Sequence, residues 1–385
     1  MKKTLLRAAV SVFLLGFLAW SMRADWDKIV DDFTHLRVTY WLAAVGVFLV
    51  AQVASSVRWR WLARPLGFTQ GPGQFLGMYF VGMFFNVVLP TSVGGDVVRA
   101  WYLDGHSGRR LPAFVSVFAD RVSGLLVLLT LAFLGVLLSD LDLDWRIRWG
   151  VLGMAGGALL GMAAFGLLVL RKRESIRAWG EGRRKEKWQQ DGTTWTGRLV
   201  GQLRRFTLSF AHTLTLYARY PGMVAVTTIL SLIVQAANVL MVALIGTALG
   251  ADVPASYYWI LVPTVSLLAV LIPSINGVGV REWGTKFMLV PLGVASHTAG
   301  IVGFMWTIAQ STANLTGVFF YLFGRFERFA AVREEVSHEA DPFGRTDGSR
   351  PETATIAADR EVRSNDRSIG DRADQRRARE SAAIT

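Results

Sequence analysis

The chain has 385 residues, is 52% hydrophobic with 18% charged residues, and has a mean hydropathy of +0.36. Charge this sparse, against roughly 25% in soluble domains, together with apolar runs of about 18 residues or more, points to an all-α polytopic membrane protein. Cysteine is absent, which excludes disulfides, thiolate metal sites and cysteine nucleophiles; the net charge of +12 reads as basic loops meeting anionic headgroups, since no nucleic-acid recognition motif accompanies it.

The first apolar run, Leu5 to Met22, follows Lys2, Lys3 and Arg7. Ser21-Met22-Arg23 is a poor cleavage site for a signal peptide, so the run is read as a retained first helix. An acidic stretch with Asp25, Asp27, Asp31 and Asp32 reads as external. Helix 2 is expected over about 40–57, ending in Arg58-Trp59-Arg60-Trp61, where basic residues mark the inner side and tryptophans suit the interface.

The run from Phe75 to Leu89 has 15 residues, about 22 Å as a helix against a hydrocarbon core of about 30 Å. Pro90, Gly94 and Gly95 then interrupt it, and Asp96 and Arg99 follow. A re-entrant hairpin is the expectation here. Helix 3 is placed at about 112–138 with Asp120 and Arg121 inside it, and helix 4 at about 147–170. Gly153, Gly157 and Gly161 recur every four residues in helix 4, a pattern that permits close helix packing.

Residues 171–205 form a strongly basic loop between two halves, about 1–170 and 206–330, and are expected to meet anionic headgroups on the inner side. Leu203, Phe206, Phe210, Leu214 and Tyr217 recur at helical spacing and suggest an amphipathic segment on the inner surface. Helix 5 is expected at about 222–249. A second short apolar segment, Tyr257 to Pro273, breaks in the same manner and leads through Asn276, Gly277 and Gly279 to Arg281 and Glu282. Helix 6 is expected at about 299–323. After Ala330 the chain is charged, mixed in sign and poor in aromatics, which fits a disordered tail over 331–385.

The expected architecture is therefore about six full spans plus two broken segments in an inverted repeat, or eight full spans. Two interrupted apolar segments in corresponding places of two halves point to a substrate site in a transporter. Ionisable residues at membrane depth usually pair and line a pathway, although Asp120 and its neighbours also suit anchoring at headgroup level. The glycines read either as turns alone or as places where a headgroup meets the backbone. Asn86, Gln235, Gln310 and Asn314 suit hydrogen bonds between helices, or a polar groove. No His-Glu-x-x-His pair, P-loop or Gly-x-Ser-x-Gly elbow appears, so neither a metal, a cofactor nor a catalytic residue is expected.

Arg58-Trp59, then Asn86-x-x-Leu-Pro90-x-x-x-Gly94-Gly95-Asp96-x-x-Arg99, then Asp120-Arg121, then Pro273 to Glu282, together resemble the lysylphosphatidylglycerol synthase transmembrane region, a flippase-like family. The resemblance covers about residues 5–330. It implies a bacterial inner-membrane protein that moves an anionic, aminoacylated or glycosylated lipid between leaflets; a membrane-embedded transferase or a non-catalytic accessory protein of lipid or cell-envelope biosynthesis is the alternative, and the positive-inside distribution of Lys and Arg puts both termini in the cytoplasm. In two-domain relatives a soluble domain attaches the amino acid; the short polar tail here implies no such activity. The substrate-binding residues implied are Asn86, Pro90, Gly94, Gly95, Asp96, Arg99, Asp120, Arg121, Pro273, Asn276, Gly277, Gly279, Arg281 and Glu282.

Overall fold

The computed structural model describes residues 34–88, 94–105, 108–139, 144–172, 174, 195–272, 274 and 277–324. The expected first helix, the tail, most of the basic loop, Pro90, Pro273 and Asn276 lie outside these residues. The described chain is helical throughout and falls within one compact unit, Met1–Phe326.

Among the described residues four helices are long and apolar enough to cross a bilayer: α1 (Val38–Ala63, extended by a 3-10 turn to Leu66), α4 (Arg110–Leu137), α5 (Trp145–Arg171) and α7 (Pro221–Ala248). Between them lie α2 (Pro72–Val88), α3 (Gly94–Asp104) and α6 (Trp195–Tyr217). After α7 come α8 (Ala255–Leu271), α9 (Val280–Leu289), α10 (Ser296–Leu315) and α11 (Gly317–Phe323). This is a multi-pass, all-α membrane protein.

Both broken segments fold as antiparallel helical hairpins. In the first, Gln70 just before α2 donates to the Leu103 carbonyl near the end of α3, while Asn86 near the end of α2 accepts from the Gly95 N–H at the start of α3. In the second, Tyr257 at the start of α8 donates to the Met288 carbonyl near the end of α9, and Ala269 faces Gly277. Each segment therefore returns towards the side from which it set out. Ile272, just after α8, is extended, the conformation that a following proline favours.

The two halves are related by inversion. α1 and α7 pack along their lengths and run antiparallel: Arg37 at the head of α1 donates to the Ala248 carbonyl at the foot of α7, and Arg58 near the other end of α1 meets Ser231. The first hairpin follows the foot of α1 and the second follows the foot of α7, so they enter from opposite ends of this pair. Two further contacts obey the same exchange: α2 packs on α10, and α8 packs on α4. The apolar core follows α1, α4, α7, α8 and α10, with Trp306, Met241, Ile245 and Leu261 fully buried in it.

Four expectations change in detail. Helix 2 does not end at an interfacial Arg-Trp run: α1 continues to Ala63, and Arg58 and Trp59 are buried. The sixth span is interrupted at Thr316, and Gly317 just after it lies against the backbone carbonyl of Phe80, where a Cβ would collide. Gly153, Gly157 and Gly161 on α5 have nothing near the position of a Cβ, so this ladder does not pack against another described helix. The apolar face of α6 is covered by protein: Phe210 and Phe206 meet Phe118 of α4, and the Tyr217 hydroxyl donates to the Leu62 carbonyl at 2.6 Å.

Candidate functional site

The first hairpin positions a chain of charged side chains. Asp96 and Arg99 are three apart on α3, one turn into a helix that starts at Gly94, and so share a face. Asp96 sits in the first turn of that helix, where a carboxylate is favoured by the exposed N–H groups and the helix dipole. Asp120 and Arg121 come from α4 and Arg58 from α1. Asp120 accepts from Arg58 Nε at 2.8 Å and from Arg99 Nη2 at 3.1 Å. Arg99 Nη1 lies 3.5 Å from Asp96, and Asp96 takes both prongs of Arg121, each at 2.9 Å. The order is Arg58, Asp120, Arg99, Asp96, Arg121.

Three guanidiniums thus share two carboxylates, a formal surplus of one positive charge. Arg58, Arg99 and Asp120 are at most 5% exposed, whereas the Arg121 side chain is 53% exposed. The network runs from the core outwards and ends on an accessible arginine. Taking charges out of water is expensive unless each is paired and hydrogen-bonded, so this arrangement is retained at a cost.

Neighbouring residues fit the guanidiniums closely. Arg99 is sandwiched between the rings of Trp59, at 4.3 Å, and Tyr79, at 4.2 Å, a cation–π arrangement worth about 2 kcal/mol or more when desolvated. Trp59 is held by a hydrogen bond to Ser116. Arg58 also donates to Ser231 of α7 at 3.1 Å, tying the network to the other half. A Cβ on Gly82 would strike the Arg99 side chain, and one on Gly95 would collide with the Gly82 carbonyl. Both glycines are needed for α2 and α3 to approach this closely.

The second hairpin places Gly277, Gly279, Arg281 and Glu282 together at the head of α9. Gly277 and Gly279 have φ of +78° and +84°, a region that L side chains rarely adopt. Glu282 is fully buried and makes no ion pair with another of the described residues. Its Oε2 accepts from the Gly279 N–H at 2.6 Å and its Oε1 from the Thr307 hydroxyl of α10 at 3.0 Å. Gly303 allows this contact, since a Cβ there would meet the backbone of Arg281 and Glu282. Arg281 lies over the ring of Trp306 at 5.3 Å.

Of the residues picked from the sequence, Asn86, Gly94, Gly95, Asp96, Arg99, Asp120 and Arg121 form the first group, and Gly277, Gly279, Arg281 and Glu282 the second. The two groups stand on different helices. Sequence reasoning missed Arg58, Trp59, Tyr79 and Ser231 in the first group and Trp306 and Thr307 in the second. Arg58 stood in the Arg58-Trp59 pair of the family resemblance but was assigned to the interface. Among the described residues no cluster of potential metal ligands occurs.

The family model for the lysylphosphatidylglycerol synthase TM region matches residues 4–316. A UPF0104 membrane protein of Methanocaldococcus jannaschii is 26% identical over 125 residues, 31% of this chain and 36% of that protein. A UPF0104 membrane protein of Methanothermobacter thermautotrophicus is 26% identical over 233 residues, 59% of this chain and 68% of that protein. The chain thus spans little more than a third of the first relative's length and about two thirds of the second's. No solved structure matches the chain.

Proposed function

We propose, from the premise that this chain belongs to the lysylphosphatidylglycerol synthase TM region family, that it moves a lipid with an anionic, aminoacylated or glycosylated headgroup between the two leaflets of a membrane. The observation that carries this reading is the surplus guanidinium of the first hairpin. A buried network with one more cation than anion, opening at Arg121, suits a phosphate, which a guanidinium grips through two parallel hydrogen bonds. Asp96, competing for Arg121, is the group a cationic or hydroxyl-bearing headgroup would engage in exchange.

The scaffold supports the same reading. Inverted repeats with discontinuous helices are a common way of presenting one site alternately to two sides. The antiparallel α1–α7 pair provides the axis, and the two hairpins enter from its opposite ends. The proposal involves no covalent step and no resident cofactor. It places the protein in a bacterial inner membrane with the basic loop and both termini on the cytoplasmic side.

The test is leaflet exchange in proteoliposomes. Purified protein is reconstituted with fluorescent phosphatidylglycerol, lysyl-phosphatidylglycerol and a polyprenyl-phosphate sugar, and outer-leaflet label is followed by dithionite quenching or enzymatic access. At least one lipid is expected to move faster than in protein-free vesicles. Arg121→Gln is expected to slow it about tenfold, the effect of losing one charge-assisted bond of roughly 1.5 kcal/mol or more. Exchange no faster than in empty vesicles for every lipid of the panel would end this reading.

A further inference from the structure

We propose that α4 carries an entry lane for a phospholipid, in which Arg110 takes the headgroup phosphate at the membrane surface and Phe114 and Phe118 take the acyl chains, on the way to Arg121. The observation behind it is one stripe of α4. Arg110, Phe114, Phe118 and Arg121 follow one another at steps of four, four and three residues, so they share a face of the helix, and all four are exposed. Arg110 is the first residue of α4. Arg121 lies three helical turns further in, about 16 Å, which is half of a hydrocarbon core of about 30 Å.

The two arginines are rungs of one pattern. α3 runs antiparallel to α4, and each of its ends offers a carboxylate: Asp96, near the start of α3, pairs with Arg121, and Asp104, at its end, with Arg110. The rungs differ in strength. Asp96 takes both prongs of Arg121 at 2.9 Å, whereas Arg110 Nε stands 3.6 Å from Asp104, beyond hydrogen-bonding length, and the Arg110 side chain is 61% exposed. The neighbouring Arg109 is used differently. Its guanidinium donates to the Leu66 and Gly67 carbonyls at the foot of α1 and lies over the Phe68 ring at 4.7 Å. Arg110 therefore presents its fork outwards, where it matches two oxygens of a phosphate.

The stripe between the arginines selects the occupant. α3 borders it on one side through Asp96, and α6 on the other, where Phe206 and Phe210 meet Phe118 edge-on. Free phosphate would leave Phe114 and Phe118 uncovered, and an acyl chain without a phosphate would leave Arg110 without an anion. A phospholipid satisfies both. The loosely paired arginine comes first for a lipid arriving from this end, and the tightly paired one lies deeper, where a charge pair is stronger. The handover from Arg110 to Arg121 rests on reading the chain as a lipid carrier; binding of a phospholipid at Arg110 does not.

Photolabelling tests the lane. Full-length protein in dodecyl maltoside receives phosphatidylglycerol with a diazirine in one acyl chain, or diacylglycerol with the same chain, and labelled residues are mapped by peptide mass spectrometry. Phosphatidylglycerol is expected to label residues 111–121 about fivefold or more above the stretch around Leu160, an exposed residue of α5, and diacylglycerol to label the two alike. Arg110→Gln is expected to remove most of the excess, and Arg110→Lys, which keeps the charge and loses the fork, to keep part of it. The long, exposed ion pair of Arg110 contributes little to stability, so both variants should melt as the wild type does. Equal labelling of the two stretches by phosphatidylglycerol overturns the proposal. So does an equal excess from diacylglycerol, or an excess that survives Arg110→Gln. None of these measurements reads leaflet exchange, so failure here leaves the transport reading standing, and a protein that moves no lipid still tests this site.

Discussion

The two hairpins occupy corresponding places in an inverted repeat, yet they stabilise buried charge by opposite means. In the first, charge is matched side chain to side chain, Arg58 and Arg99 on Asp120 and Arg121 on Asp96. In the second, the carboxylate of Glu282 is held by a backbone N–H and a hydroxyl, and Arg281 stands apart over an indole. A shared backbone plan therefore does not carry a shared electrostatic plan. The first hairpin depends on the sum of its charges; the second depends on neutral donors and would tolerate losing its charge.

That contrast is broken most severely at Asp120. Asp120→Asn leaves two buried guanidiniums facing one neutral amide. Removing one partner of a buried ion pair costs about 3–5 kcal/mol, and we expect a loss of that order in thermal or denaturant unfolding of the purified protein. The matching change in the second hairpin, Glu282→Gln, is expected to cost less than about 1 kcal/mol. A glutamine can accept from the Gly279 N–H and donate to Thr307, whose hydroxyl already has a second acceptor in the Gly303 carbonyl. Equal losses from the two substitutions would remove the distinction.

Backbone closeness separates the hairpins less sharply. In the first, a Cβ on Gly95 collides with the Gly82 carbonyl and the Asn86 amide. Backbone cannot yield as a side chain can, so Gly95→Ala is expected to cost up to about 3 kcal/mol. In the second, the atoms nearest a Cβ on Gly284 belong to the Val265 side chain, its methyl groups at 3.2 Å. Gly284→Ala should fall nearer 1 kcal/mol, since overpacking against a movable side chain costs at the low end of roughly 1–3 kcal/mol. Unfolding of the two variants side by side checks the ordering.

Much of this was legible in the chain itself. The short length of the two apolar segments and their Pro-Gly interruptions announced hairpins, and the spacing of Asp96 and Arg99 announced a shared helical face. Partners contributed across helices were not legible. Hydropathy marks a residue as apolar or charged but not as facing lipid or protein, so Arg58 was placed at an interface and the α6 face on a membrane surface. The glycine ladder of α5 failed for the same reason: small residues permit contact without requiring it. Asp120 was singled out by its charge at membrane depth, but its two arginines come from α1 and α3, and no local pattern links them.

The smallest effect on stability is expected at the outer end of the first network, where it is most informative about transport. Asp96 pairs with Arg121, whose side chain is 53% exposed, and Arg99 keeps Asp120 when Asp96 is neutralised. An ion pair with one partner in contact with the surroundings contributes about 0–1 kcal/mol, so Asp96→Asn should leave the melting temperature almost unchanged. Leaflet exchange should nevertheless fall about tenfold or more, because the variant loses the anion that hands Arg121 to and from a headgroup, a charge-assisted bond worth roughly 1.5–3 kcal/mol. A variant that is both stable and fully active would confine Asp96 to a structural role. Stability without exchange would divide the network into an inner part that holds the hairpin and an outer part that handles the lipid.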